Sequence, residues 1–320
     1  MGKEVEKGGR GKGLFGLIVC WIVFSLLLGS ANSVAKKMLD DGNCTEASFS
    51  EYRSQALTVA YYDELIVKED LAESVRIAGW VFSDGQTLED NKEVCLLLKS
   101  AKQCYKVAVS LSTRGDVLDY YANAQYDIVR TDSGFTAEFA TLTIEDGDYD
   151  IYAYCYENEN AYGLSFLRCR LFKNGRSTEL EYAPYPMEEG KFSKRVNLNQ
   201  DIVKDGRSIK SCIDVCEASA DYFEISGWCF AEDMDCTQQS VYISLEGVGD
   251  FRAGQMTRGE VGAGFCNKLY TMSGFSGRVP VSDIPQGITK GQLLLQNKEG
   301  TFWVADFSVL KDSNVITTEL

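Results

Sequence analysis

The sequence has no histidine among its 320 residues. Imidazole is the commonest zinc ligand and the most frequent general base and proton shuttle. Its absence removes the key group of serine-protease, cysteine-protease and metalloprotease sites. Basic residues are also scarce, with 32 Lys and Arg against 47 Asp and Glu and a formal net charge of -15. Nucleic-acid binding depends on clustered Lys and Arg, so we expect no nucleic-acid partner and favour a neutral or cationic glycan.

The sequence also lacks a motif for a catalytic nucleophile, a phosphate-binding glycine loop or a metal site. Glycoside hydrolysis needs two convergent acids about 5 to 10 Å apart, and no such pair stands out among the acidic residues. We therefore predict no catalytic residues, no cofactor and no metal. An acid-dependent glycan hydrolase remains an alternative.

One long uncharged run lies near the N-terminus, from Leu14 to Leu28. With the small residues that follow, it approaches the roughly 20 helical residues that cross a bilayer. Basic residues precede it, which favours a cytoplasmic N-terminus. We predict a cytoplasmic tail over 1–13, a single transmembrane signal-anchor helix over 14–33 and a stalk over 34–57, with the remainder outside the cell. The alternative is a secreted protein whose signal peptide is cleaved near Ser33-Val34-Ala35.

From Thr58 onward, short runs rich in Val, Ile, Tyr and Phe are interrupted every 8 to 12 residues by turn-forming residues, which is typical of an all-β sandwich. The pattern predicts a first β-sandwich over 58–185, a linker over 186–207 and a second β-sandwich over 208–320. The strands predicted in the first sandwich are Thr58 to Ile66, Ser74 to Phe82, Val94 to Leu98, Cys104 to Val109, Phe135 to Leu142, Tyr149 to Tyr156 and Leu164 to Leu171.

A set of short motifs occurs twice in the same order, which indicates two tandem copies over roughly 76–171 and 224–310. The paired landmarks are Trp80 and Trp228, Arg114 and Arg258, Asp116 and Glu260, Gly134 and Gly274, and Phe135 and Phe275. We expect the tryptophans to fill the space between sheets, the glycines to permit a turn and the phenylalanines to enter the core. Arg114-Gly115-Asp116 also matches an adhesion tripeptide, but its counterpart Arg258-Gly259-Glu260 favours a structural role.

The series Gly-Trp-x-Phe, Arg-x-Asp/Glu-Val and Ser-Gly-Phe resembles β-sandwich modules of cell-surface and membrane proteins from Gram-positive anaerobic bacteria. Some of these modules accompany membrane glycosyltransferases of surface-polysaccharide assembly, although no transferase domain is present here. The resemblance implies a location at the bacterial cell surface and a connection with glycans. We predict two tandem immunoglobulin-like β-sandwich domains after the transmembrane helix.

Eleven cysteines are present, and ten of them lie outside the uncharged run. In an exported chain, disulfides are the default interpretation. The predicted pairs are Cys95 with Cys104 across a turn at Lys99-Ser100, Cys155 with Cys169 around Tyr162, and Cys229 with Cys236 across a loop. A four-thiolate zinc site is the alternative for Cys212, Cys216, Cys229 and Cys236, but their spacing is unusual.

Tyr152, Tyr154 and Tyr156 alternate along one predicted strand, so their rings project from the same face. If that face is the core, the rings are packing residues. If it is the outer face, they form a platform on which sugar rings could stack, together with Tyr120 and Tyr121 near the sheet edge.

These patterns predict a non-catalytic binding or scaffolding protein of the cell surface that is related to glycans or the cell wall. One alternative is a protein-interaction subunit of a surface-polysaccharide assembly complex. The other is the glycan hydrolase already mentioned.

Overall fold

A computed structural model describes residues 43–68, 73–88, 92–183, 186, 193–198, 202–203, 208–219, 221–312 and 315–319. The fold is all-β and sandwich-like, with short helices between strands. We call residues 43–183 the first half and residues 193–319 the second half. Each half contains a four-stranded sheet and a larger sheet, with a hydrophobic core between them.

The described residues of the first half form ten strands, one α-helix and two 3-10 helices. The elements are β1 (Cys44–Glu46), a 3-10 helix (Phe49–Glu51), β2 (Thr58–Lys68), β3 (Ser74–Ser83), β4 (Glu93–Lys99), β5 (Cys104–Ala108), β6 (Ser110–Ser112), α1 (Gly115–Ala122), β7 (Gly134–Ala140), a 3-10 helix (Thr141–Thr143), β8 (Gly147–Asn158), β9 (Ala161–Asn174) and β10 (Ser177–Tyr182).

The described part of the second half begins with two short strands from the predicted linker and ends with the last strand of the chain. The elements are β11 (Lys194–Val196), β12 (Ile202–Val203), β13 (Ile209–Ala218), β14 (Tyr222–Ala231), a 3-10 helix (Cys236–Gln238), β15 (Ser240–Leu245), β16 (Gly249–Arg252), β17 (Gly254–Met256), α2 (Gly259–Gly264), a 3-10 helix (Lys268–Ser273), β18 (Gly274–Pro280), a 3-10 helix (Val281–Asp283), β19 (Gly287–Asn297), β20 (Gly300–Asp312) and β21 (Val315–Glu319).

The strand order of the first half recurs in the second half. The four-stranded sheets are ordered β2-β3-β7-β6 and β13-β14-β18-β17. The larger sheets share the series β5-β4-β8-β9-β10 and β16-β15-β19-β20-β21, with β1 added to the first and β11 and β12 to the second. The register is equally matched, because Trp80 pairs with Gly134 and Trp228 pairs with Gly274. The repeated landmarks therefore occupy the same sites in the two halves.

Alternation of side chains along the strands builds both cores. In the first half, Val75, Ile77 and Val81 on β3 face Leu96 and Leu98 on β4, and all five are buried. The second half uses Ile225, Ile243 and Leu293 in the same way. Every strand predicted in the first half overlaps a strand of the structure. The all-β, sandwich-like class is therefore confirmed.

The predicted tail, anchor and stalk cover residues 1–57, and the structure describes only the last part of this segment. The cytoplasmic tail and the signal anchor, 1–33, lie outside the described residues, and within the described ranges we find no helix with the length and apolar character of a membrane span. The segment predicted as a stalk behaves differently. Its residues 44–46 form β1, which pairs with β5, and the following residues pack on the outer face of the larger sheet. Residues 34–42 of the predicted stalk lie outside the described residues. Partial burial of Phe49 and Tyr52 on that face holds residues 44–57 against the sheet.

The predicted linker over 186–207 supplies edge strands to the second half. β11 pairs antiparallel with β16, and β12 pairs parallel with β20. The backbone of Ser193 also donates to the carbonyl of Arg278 at 2.7 Å. The described part of this segment therefore extends the second half's sheet, because its backbone groups find partners there.

The three predicted disulfides are wrong, because all six cysteines are unbonded thiols. A longer turn sets Lys99 opposite Cys104 and Cys95 opposite Ala108, so Cys95 and Cys104 are four residues out of register. Similarly, the turn after Asn158 sets Cys155 opposite Gly163 and leaves Cys169 further along β9. Cys229 and Cys236 line one cavity but are not bonded.

The two halves contact each other through α2 and its flanking residues. Gly259 faces Val59 of the first half, and a Cβ at Gly259 would overlap the Val59 side chain. Next to it, the hydroxyls of Tyr126 and Thr271 share a hydrogen bond, and Lys268 Nζ lies 3.0 Å from Asp84. Glycine in α2 thus permits a close approach that a larger residue would prevent.

Four ionisable side chains also interact across the boundary between the halves, and two of them, Asp150 and Glu224, are buried. Arg170 donates to Asp150 at 2.9 Å in the first half, and Arg278 donates to Glu224 at 3.2 Å in the second. Burial and then the charge of Arg170 lower the pKa of Arg278, and the same Arg170 charge favours the ionised form of Glu224. Burial and then the charge of Glu217 outweigh Arg170 at Glu224 and raise its pKa to about 8.

This raised pKa predicts a pH dependence of stability. Between about pH 4.5 and 8, folded Glu224 keeps a proton that the unfolded chain has already released. The folded state then binds more protons, so the free energy of unfolding should fall as pH rises through this window and level off above about 8. Urea unfolding of the wild type and Glu224→Gln at pH 5 to 9 measures this difference. We expect the variant to have the flatter profile, and identical slopes would contradict the assignment. Glu179→Gln, an exposed site, is the control.

Candidate functional site

The landmark tryptophans lie beneath the α-helices and not between the sheets. Trp80 and Phe82 are on the opposite face of β3 from the core residues and pack against Tyr121 of α1. The Trp80 and Tyr121 ring centroids are 5.1 Å apart, and those of Phe82 and Tyr121 are 5.0 Å apart. Alternation places Trp80 on this face, because it is one residue away from the core position Val81. The expectation of an inter-sheet tryptophan is therefore wrong.

The second half repeats this aromatic cluster. Trp228 and Phe230 pack against Phe265, at centroid distances of 5.9 and 5.0 Å. Phe135 and Phe275 instead enter the cores between the sheets, as predicted. Each half thus has one core between its sheets and a smaller aromatic cluster outside its four-stranded sheet.

A landmark arginine links each helix to a strand bulge. Arg114 donates to Asp116 at 2.7 Å and to Asp63 at 2.5 Å. In the second half Arg258 donates to Glu260 at 2.5 Å and to Asp214 at 2.6 Å. Asp63 and Asp214 both lie at register shifts in the first strand of their four-stranded sheets.

The adhesion-like tripeptide is therefore part of an internal ion-pair network. The hydrogen bonds from Arg114, followed by its charge, hold the pKa of Asp116 below its usual value. The landmark glycines serve the same network. Gly134 and Gly274 lie within strands, where a Cβ would meet Arg114 Cγ or Arg258 Cγ at 2.8 or 2.7 Å. They permit close approach of the arginine and not a turn.

A groove of about 520 Å³ opens beside this network, between the two halves. The first half contributes strand residues of β2, β3 and β9 and helix residues of α1, and the second half contributes Glu260. The lining residues are Val59, Ala60, Tyr61, Trp80, Arg114, Asp116, Val117, Tyr120, Tyr121, Arg168 and Glu260. This combination of aromatic faces with a few polar groups is typical of small-molecule sites.

Aromatic rings form most of the apolar part of this groove. Tyr61 stacks on Trp80 with ring centroids 6.4 Å apart and planes 24° apart, and Tyr120 meets Tyr121 edge-on at 5.2 Å. Tyr61 is 45% exposed and Tyr120 is 50% exposed, whereas Trp80 and Tyr121 are buried. Tyr61 also stacks on Tyr62, with ring centroids 5.4 Å and planes 6° apart. The two exposed rings are thus held by neighbouring rings, and about half of each side chain remains accessible to solvent.

The polar part of the groove is a balanced set of charges. Arg168 lies 3.2 Å from Glu260 across the boundary between halves, and Arg114 engages Asp116. The Arg168 guanidinium also lies over the Tyr182 ring, 5.3 Å from its centroid. These paired groups can donate and accept hydrogen bonds to a polar ligand. Because the lowered pKa keeps Asp116 ionised, Asp116 is poorly suited to act as a general acid.

The equivalent surface of the second half lacks a ring. Register places Tyr61 opposite Trp80 and Cys212 opposite Trp228, so Cys212 stands where the first half has Tyr61. The second half therefore does not repeat the aromatic wall of the groove. The groove forms where the two halves meet, and most of its wall belongs to the first half.

The tyrosine row has neither of the two environments considered from the sequence. Tyr152, Tyr154 and Tyr156 project from the outer face of β8, opposite the core residues Ala153 and Cys155. Phe49 covers Tyr152 with ring centroids 5.1 Å apart, and Tyr52 covers Tyr154 at 5.0 Å. Tyr156 stacks on Tyr162 at 5.9 Å. The row is half-buried packing beneath the N-terminal segment, so it offers no open platform over Tyr152 and Tyr154.

Of the five tyrosines predicted to bind glycans, Tyr120 and Tyr121 lie in the groove. Sequence reasoning missed Tyr61 and Arg168. The signal for Tyr61 was available, since it lies in the predicted strand that precedes Trp80. Arg168 has no comparable signal, because its position depends on the contact between halves. For the cysteines, no cluster of three or more potential metal ligands occurs within the described ranges.

Comparison with known proteins identified no relative of this chain. Neither the models of known protein families nor the curated proteins match the chain.

Proposed function

We propose that the protein is a non-catalytic binding protein of the bacterial cell surface, with two tandem immunoglobulin-like modules, that binds a saccharide in the groove between its halves. The observation that carries this proposal is the groove itself, in which two exposed tyrosine rings flank paired charges. A sugar ring has apolar C–H faces and a rim of hydroxyls. Tyr61 and Tyr120 match the faces, and Arg114, Asp116, Arg168 and Glu260 match the rim.

The charges favour binding over catalysis. Each groove carboxylate is engaged by an arginine, Asp116 by Arg114 and Glu260 by both Arg168 and Arg258. A glycosidase instead needs one carboxyl group that keeps its proton near the working pH. This arrangement supports a ligand that is held by stacking and hydrogen bonds and released unchanged.

The proposed location rests on the N-terminal sequence. The uncharged run over 14–33 would anchor the protein in the membrane with its C-terminal domains outside, or direct secretion if it is cleaved. Both routes expose the groove to cell-surface glycans. The resemblance of the repeated motifs to modules of surface-polysaccharide systems supports the same setting.

The groove predicts a specific loss of binding. We expect an array of bacterial surface glycans to yield at least one ligand, and Tyr61→Ala to weaken its binding at least about tenfold, because a ring at the centre of a contact contributes more than about 1.4 kcal/mol. Isothermal titration with the array ligand measures the change. Tyr120→Ala should act in the same direction.

Tyr156→Ala is the matched control, since this half-buried ring lies outside the groove. It should bind with wild-type affinity. An array without ligands would oppose the proposal, as would a Tyr61→Ala protein that keeps full affinity.

A further inference from the structure

The second half contains a separate cavity of about 250 Å³, away from the groove. Its wall includes Cys229 of β14, Cys236, Gln239 just before β15, and Met272 and Ser273 just before β18. Arg252 and Gln255 also line it, and both are exposed, so the cavity reaches the surface.

Buried polar groups without partners distinguish this cavity. Gln239 is only 6% exposed, yet neither its Nε2 nor its Oε1 has a hydrogen-bond partner. Ser273 is 3% exposed, and its Oγ is also unpartnered. A buried amide that pairs with nothing loses its interactions with water without compensation. The cavity therefore offers a donor and an acceptor that a ligand can satisfy.

In the first half, the position equivalent to Gln239 is filled by a paired side chain. Lys92 stands just before β4, as Gln239 stands just before β15, and the two strands share one register with their neighbours. The buried Lys92 Nζ lies 3.0 Å from Glu157 and 3.4 Å from the carbonyl of Val81. The matching register makes Cys229 the counterpart of Val81. An internal ion pair thus occupies a place that the second half leaves open.

The chemistry of the cavity wall restricts the ligand. Burial raises the pKa of the Cys236 thiol to about 12, so this thiol is uncharged at neutral pH. Val241, Ala253 and Phe275 add apolar surface. The charged residue in the wall is Arg252, which is exposed and donates to Ser240 at 3.1 Å. The interior is thus neutral, with the Gln239 amide as its main polar feature.

We propose that this cavity binds a small uncharged organic molecule that presents a hydrogen-bond donor and acceptor side by side, as a primary carboxamide or a cyclic imide does. The Gln239 amide pairs with that edge, and Ser273 supplies a further hydrogen bond. The remainder of the ligand packs against Phe275 and Met272. This site is independent of saccharide binding in the groove.

Benzamide is a suitable probe, and methyl benzoate is its control because it has a similar shape and no N–H donor. In isothermal titration with the full chain, we expect saturable binding of benzamide and at least about tenfold weaker binding of methyl benzoate. Gln239→Leu should abolish benzamide binding. Its melting temperature should be unchanged or higher, because the substitution removes a buried, unpaired amide.

Gln238→Leu is the matched control variant, since Gln238 is the adjacent residue and is exposed. It should bind benzamide like the wild type. The proposal is overturned if benzamide does not saturate, if the ester binds equally well, or if Gln239→Leu retains binding. If Gln239→Leu does not fold, a crystal structure of the wild type soaked in benzamide decides: density for benzamide on Gln239 supports the site, and ordered water alone overturns it.

Discussion

Replacing Arg258 with methionine is expected to lower the free energy of unfolding by about 3 kcal/mol, the low end of the range for breaking a buried ion pair. The Arg258 side chain is only 8% exposed and contacts both Asp214 and Glu260. Methionine keeps much of the aliphatic contact, but it leaves Asp214 without the Arg258 cation and Glu260 with Arg168 alone. Because Asp214 and Glu260 retain 28% and 45% exposure, water compensates part of this loss.

Arg114→Met is the internal comparison for this prediction. Arg114 makes the same two contacts, but its side chain is 26% exposed and its partners Asp63 and Asp116 are 46% and 65% exposed. Exposed ion pairs contribute at most about 1 kcal/mol, so this variant should be affected much less. Urea denaturation of the two variants measures the difference. Equal losses would show that burial does not determine how much each arginine network contributes to the free energy of unfolding.

Gly79→Ala should destabilise the first half by about 3 kcal/mol, at the upper end for overpacking. A Cβ at this position would lie 2.9 Å from Cα of Tyr62 and closer still to the carbonyl oxygen of Tyr61. Both contacts are with backbone, which cannot rotate away as a side chain can. The β2–β3 ladder must therefore separate, and the groove residue Tyr61 moves with it.

The control for this prediction is Gly264→Ala in α2. Apart from its chain neighbours and the backbone of its own helix, no described atom lies within 4 Å of a Cβ there, and alanine is the better helix former by about 1 kcal/mol. Urea unfolding should thus show opposite signs for the two glycine substitutions. A Gly79→Ala protein as stable as the wild type would mean that β2 and β3 tolerate a wider separation than the structure indicates.

Strand positions and class were predictable because they depend on local alternation. The run from Ser74 to Phe82 and its partners carry the period-2 pattern that fixes which residues face the core. The repeated motifs were also informative, since Trp80 and Trp228 occupy equivalent registers. The covering of the outer face was not predictable. Whether Tyr152 faces solvent depends on Phe49, about one hundred residues earlier in the chain, and no periodicity encodes that contact.

The cysteine pairing failed for a different physical reason. Placing Cys95 opposite Cys104 assumed a two-residue turn, whereas the turn runs from Ser100 to Gln103 and shifts the register. In a hairpin, a change of two residues in the turn moves every cross-strand pair. Symmetric spacing of cysteines is therefore weak support for a disulfide when the turn residues do not specify a type.

The groove residues were only partly predictable, since they come from both halves. Tyr120 and Tyr121 were predicted to lie near a sheet edge, whereas both lie in α1 and only Tyr120 is exposed. Arg168 and Glu260 meet only because α2 docks on the first half, and this docking depends on the small size of Gly259. Tertiary contact, and not local pattern, thus determines the polar side of the candidate site.

The docking of α2 has an evolutionary consequence. A single ancestral module would possess its own arginine network and aromatic cluster but no second helix to complete the groove wall. Duplication would then have generated a recognition surface that neither copy had alone, leaving the two copies free to diverge. On this view the polar wall that Glu260 adds beside Arg168 arose only when the two copies came together.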